Sequence, residues 1–119
     1  MGLNTSGGMD LAPSVLTVNY TSASGTGSSA SFIPMSGKFN ATLSGTWTGA
    51  TMELQRSFDG ASTWVPATTD SVGTKADYTA NASVVVDEPE PGIFYRWQPT
   101  VAVSTGTAVT RISGGMRLT

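Results

Sequence analysis

Eight carboxylates, six cationic side chains and three tyrosines are the ionisable side chains of this 119-residue sequence, which contains neither histidine nor cysteine. Without imidazole or thiol there is no histidine general base, no cysteine nucleophile, no disulfide staple and no thiolate or imidazole metal site. The acids are the remaining candidates. Asp87, Glu88 and Glu90 form a short run whose oxygens suit a hard cation such as calcium. The run lacks the spacing and the glycine of a calcium loop, and it reads as a solvated connection between strands. A carboxylate pair for glycoside hydrolysis need not be close in sequence, but none of the eight acids stands in a suggestive setting. The expectation is therefore no catalytic residue, no metal and no cofactor, hence a protein that is not an enzyme. A hydrolase working through scattered carboxylates is the weakest alternative.

The stretch Ser57-Phe58-Asp59-Gly60-Ala61-Ser62-Thr63-Trp64 resembles an Asp-box, the Ser-x-Asp-x-Gly-x-Thr-Trp hairpin of sialidase propellers and many unrelated β-proteins. Ala61 stands where that box usually carries glycine. The resemblance implies a structural turn built by Ser57, Asp59, Gly60, Thr63 and Trp64, in which Asp59 caps the turn and Trp64 packs beneath it. An Asp side chain bonding nearby backbone N–H groups is the physical basis of such turns. One copy cannot build a propeller of several blades.

Large aromatics are the other candidates. Trp47, Trp64, Trp97, Tyr78 and Tyr95 suit either a sugar-stacking platform or the core of a Gly- and Ser-rich chain, and core is the better reading. Trp47 is the exception, because Gly45 and Gly49 frame it in what reads as a bend that holds the ring outside. It is the expected exposed aromatic contact.

These residues sit on extended segments. Phe39, Ala41 and Leu43 alternate with Asn40 and Thr42, and Met52 and Leu54 alternate with Glu53 and Gln55. A period of two marks half-buried strands. Thr63-Trp64-Val65-Pro66 returns from the Asp59 turn to complete a hairpin. Val72 to Lys75 is turn-like, and Tyr78 to Val86 is extended. Asp87 to Gly92 has two prolines, which fix φ and remove donors, so neither helix nor central strand is expected there. Ile93, Tyr95 and Trp97 share one face of a central strand, and Thr107 to Ile112 forms another, ended by Gly114-Gly115. No window has helical spacing. Seven or eight short strands predict an all-β fold, a single β-sandwich of short antiparallel strands over residues 31–119.

Residues 1–30 form a flexible N-terminal arm in this reading. Gly7-Gly8 and the Ser22–Ser29 tract carry too little apolar surface to offset ordering entropy. Between them Leu11, Val15, Leu16, Val18 and Tyr20 are the anchors of one strand, expected to bind a partner by adding to the sheet edge of another chain, either a sister subunit or the capsid protein. Net charge is −2, which provides no field for a polyanion, so nucleic acid is not expected as a partner. No apolar run approaches bilayer length, and the first residues lack a basic region and an apolar run, so neither a membrane nor a secretory route is expected.

Gly45-Thr46-Trp47-Thr48-Gly49-Ala50-Thr51-Met52-Glu53-Leu54-Gln55-Arg56-Ser57-Phe58-Asp59-Gly60 resembles a pattern of small tailed-phage structural proteins: Gly-x-Trp-x-Gly-Ala-Thr-x-x-Leu-Gln-x-Ser-x-Asp-Gly. Trp64-Val65-Pro66, the acidic turn Glu88-Pro89-Glu90-Pro91-Gly92, Tyr95-Arg96 and Thr110-Arg111-Ile112-Ser113 continue it in order, over about residues 37–113. Size, all-β pattern and arm are most similar to capsid decoration, or cement, proteins. The resemblance implies a virion component made in the host cytoplasm and placed on the capsid surface. Its partners would be the major capsid protein and two further copies in a homotrimer. The alternative is a carbohydrate-binding or adhesion module of a tail or fibre, with Trp47 and Tyr78 stacking on sugar.

Overall fold

The computed structural model of the protein describes residues 11–25, 31–68 and 75–118, which contain no helix. Seven strands follow in chain order: β1 (Leu11–Thr21), β2 (Ile33–Thr48), β3 (Thr51–Ser57), β4 (Val65–Pro66), β5 (Asp77–Tyr78), β6 (Ala82–Val101) and β7 (Thr105–Leu118). The alternations read from the sequence hold. Phe39, Ala41 and Leu43 are buried while Asn40 is exposed, and Met52, Leu54, Ile93, Tyr95 and Trp97 all point into the core. Burying each large apolar side chain contributes about 1.5–3 kcal/mol, and these positions carry most of the hydrophobic stabilisation.

Ladder connectivity runs β1-β7-β2-β6-β3-β4, with β5 also on β3, and every pairing is antiparallel. The chain is all-β as expected. The described strands belong to one hydrogen-bonded sheet, not to the two separate sheets that define a sandwich. That sheet folds over itself. The register between β2 and β6 passes from Met35↔Ile93 to Gly37↔Glu88, leaving Pro89 to Gly92 outside the ladder. An irregularity of this kind bends a strand and re-aims its two ends. The first half of β6 pairs β2, and the second half pairs β3 and faces the opposite layer. Tyr20 Oη donates to Trp97 O at 2.8 Å, and the Phe39 and Tyr95 rings meet edge-on at 4.7 Å between centroids.

Four sequence expectations change. Leu11–Thr21 is a strand of this sheet, paired along its length with β7 of the same chain, so the sheet begins well before residue 31. Residues 1–10 and 26–30, which held the flexible tracts, and residues 69–74, which held most of the Val72–Lys75 turn, lie outside the described residues. Gly45 to Thr48 is not a bend, because β2 continues to Thr48 and pairs β7 throughout; the chain bends only at Gly49. A Cβ on Gly45 would meet Thr107 O, and one on Gly106 would meet Thr46 O. These glycines let two backbones approach closely. Pro89 and Pro91 lie within the span of β6, tolerated because no ladder bond is asked of them there, and β7 runs through Gly114-Gly115 to Leu118.

Candidate functional site

The Asp59 turn forms as the motif implies. Ser57 Oγ donates to Asp59 Oδ1 at 2.9 Å and accepts from the Ala61 N–H at 3.0 Å, while Asp59 Oδ1 accepts from the Thr63 N–H at 2.8 Å. Hydrogen bonds from Thr63 and then Ser57 hold the Asp59 carboxyl below its ordinary range. Gly60 and Ala61 both have φ of +72°, a region open to glycine and strained for alanine. All four polar atoms are used within the turn, so Ser57 and Asp59 are scaffold.

Trp47 is not an exposed contact. Its side chain is only 9% exposed, and its indole N–H donates to Asn81 Oδ1 at 2.8 Å, while Asn81 Nδ2 donates to Gly45 O. Of the glycines that seemed to expose the ring, Gly45 admits β7 instead. Tyr78 is half-buried with its edge on Trp97.

Glu88 is not solvated either. It is 1% exposed, ion-paired with Arg56, and accepts from Tyr95 Oη at 2.8 Å and from the Glu90 N–H at 3.1 Å. Burial pushes its carboxyl up, but the bonds from Tyr95, Glu90 and Arg56 outweigh that and hold it below the ordinary value. Burial and the Glu88 bond push the Tyr95 phenol well up. Asp87 and Glu90, flanking it, are exposed. Both Glu88 oxygens are occupied, so within the acidic run this carboxylate holds a bent strand together. The same period of two that buries Met52 and Leu54 also turns Arg56 inward, a signal available in the sequence.

Aromatic side chains do reach the surface elsewhere. On the outer face of β6, between Ile93, Tyr95 and Trp97, lie Phe94 and Arg96. The Phe94 ring meets Phe32 at 5.1 Å, and Phe32 meets Trp64 at 5.8 Å. Arg96 stacks on Trp64 at 4.2 Å and donates through Nε to Gln55 Oε1 at 2.8 Å. Gln55 in turn donates to Glu53 Oε1 at 2.7 Å. Phe32 is 46% exposed, and Val65 beside Trp64 is also exposed. Trp64 therefore packs on Arg96 and Phe32 at the surface as well as closing the Asp59 hairpin.

No protein family, curated protein or solved structure matches this chain.

The predicted arm residues form the second exposed feature. Tyr20 is buried against the core, Leu16 and Val18 are half-buried, and Val15 points outward. Leu11 pairs Leu118 at the far end of β1. One edge of β1 is taken by β7, and among the described residues no strand pairs the other. The candidate site thus consists of an aromatic and arginine cluster and, among the described residues, strand edges without a ladder partner.

Proposed function

We propose that the protein is a non-enzymatic virion component, a capsid decoration protein that binds the outside of a tailed-phage shell as a homotrimer. In this role it cements joints between major capsid proteins. The observation that carries the reading is the surface cluster of exposed Phe32 with half-buried Trp64 and Phe94, on which Arg96 stacks through Trp64. Aromatic residues and arginine are the side chains that dominate protein–protein binding energy. The motif order over residues 37–113 supports the choice of partner. A ligand that binds assembled subunits and not dissociated ones stabilises the assembly by mass action, and a repeating lattice raises the effective concentration for each weak contact. No chemical step is required. The adhesion reading rested on Trp47 and Tyr78, of which Trp47 is buried and Tyr78 half-buried.

The test is binding to heads purified from a deletion mutant of the phage that carries this gene. Saturable co-sedimentation is expected, with a higher shell-disruption temperature, and Trp64→Ala is expected to weaken binding at least tenfold. Heads that neither bind the protein nor gain thermal resistance would overturn the proposal.

A further inference from the structure

Among the described residues the folded sheet has outer edges in both layers, and they differ in the length of unblocked strand they offer. In the layer that contains β3, the outer edges are the Ile33–Met35 end of β2, which carries Pro34, and the two-residue strands β4, which carries Pro66, and β5. Proline removes the N–H that a further strand would need, a common way to blunt an edge. In the other layer the edges are β1 and the first half of β6. Pro13 lies near the start of β1, but the eight residues from Ser14 to Thr21 and the six from Ala82 to Asp87 contain no proline, and Asp87, at the end of the second edge, is the one charged residue in these stretches. Both stretches are rich in β-branched residues. Among the described residues, neither has a ladder partner on its outer side.

Their faces also correspond. Val15, Thr17 and Asn19 point outward on β1, as Ser83, Val85 and Asp87 do on β6, and Val85 is 69% exposed. Leu16 and Val18 on one edge, and Val84 and Val86 on the other, face the core but stay only half-buried. A strand added at either edge would cover them. Beside the β6 edge runs a groove of about 390 Å³ lined by Ala67, Thr68, Val85, Val86, Asp87 and Pro89 among others.

We infer that β1 of one copy adds to the Ala82–Asp87 edge of the next, so that copies join head to tail in a ring of continuous sheet. This inference rests on the homotrimer in the proposed function and names its interface. Directions agree: along β1-β7-β2-β6 each neighbour is antiparallel, so β1 and the first half of β6 run oppositely and continue the alternation across the joint. The in-phase register that pairs Leu16 with Val86 and Val18 with Val84 sets the four half-buried side chains beside one another. Charge agrees as well. Arg111 lies directly behind Thr17 on the outer face and has no carboxylate partner among the described residues. Antiparallel docking brings Asp87 of the neighbouring copy towards it. A two-fold pairing of β1 with β1 would leave the second unblocked edge open, whereas a heterologous joint uses both and closes as a ring.

The test uses the isolated full chain, so loss of capsid binding and loss of this interface are read separately. In sedimentation velocity at about 50 μM, the wild type is expected at the mass of three chains. Val85→Lys and Val15→Lys, each at an exposed position, are expected at the mass of one chain with unchanged circular dichroism. Because the chain lacks cysteine, Val85→Cys combined in turn with Val15→Cys, Thr17→Cys or Asn19→Cys is expected to give oxidised interchain crosslinks in at least one pair. A monomeric wild type would overturn the inference and leave both edges to another protein. So would an oligomer untouched by both lysine variants, or crosslinking by Val85→Cys alone at equal yield.

Discussion

Tyr95 Oη donates a 2.8 Å hydrogen bond to Glu88, seven residues earlier on the same strand. In a regular strand those two side chains would lie over 20 Å apart at about 3.3 Å per residue. They meet because Pro89 to Gly92 leave the ladder and fold the strand back, and Arg56 from β3 completes the cluster. The sheet's main bend is thus tied by one buried carboxylate.

Glu88→Gln should lower stability by about 2–4 kcal/mol, since it leaves Arg56 without its counter-charge in a largely buried site. The pH dependence follows in sign. The folded-state value of Glu88 lies below the ordinary one, so the folded protein binds fewer protons there than the unfolded chain. The stabilisation is complete above the ordinary carboxylate value and is lost as pH falls through the lowered one. Urea midpoints from pH 7 to pH 3 should fall for the wild type and fall less for Glu88→Gln, with Asp59 supplying part of the remaining slope.

Ala61→Gly should raise stability by about 0.5–1 kcal/mol, because alanine at φ +72° bears a left-handed strain that glycine escapes. Asp59→Ala should lower the thermal midpoint by removing the acceptor for the Thr63 N–H and the Ser57 hydroxyl. Differential scanning calorimetry of the two variants checks both signs.

Glu53→Gln should stabilise the protein at pH 7.5. Burial first, and then the neighbouring Asp77, raise the Glu53 carboxyl above its ordinary value, while its bond from Gln55 opposes them. A raised folded-state value means that stability from this site is present at low pH and is lost as pH rises through it. Glutamine keeps the acceptor and removes the charge. Its advantage in thermal midpoint should vanish at pH 3.5.

Trp47→Ala should cost about 3–5 kcal/mol, as expected for a buried aromatic, and should change solubility before it changes any contact with glycan. Trp47→Phe should cost about 1–3 kcal/mol by leaving the Asn81 amide oxygen without its donor. Chemical denaturation of both variants is the measurement.

Periodicity made the strand interiors legible. Phe39, Ala41 and Leu43, and Ile93, Tyr95 and Trp97, show their inward faces in the sequence because alternation is a local property. The Asp59 turn was legible for the same reason, since its bonds span only four residues. What was hidden depends on distant chain. Trp47 reads as a glycine-framed bend until β7 supplies the Thr107 backbone that Gly45 admits and Ser104 packs against Gly49. Glu88 reads as a solvated acid until Arg56, 32 positions away, turns inward to meet it. The surface cluster of Phe32, Trp64, Phe94 and Arg96 joins three separate segments and leaves no spacing signal in any one of them.

The central claim is placement on the phage head. Immunogold labelling of virions, with antibody raised against the recombinant protein, tests it most directly. Label is expected over the heads at even density, and is expected to disappear in a gene deletion that still forms heads. Label confined to tails or fibres, or particles that carry none of the protein, would contradict the account.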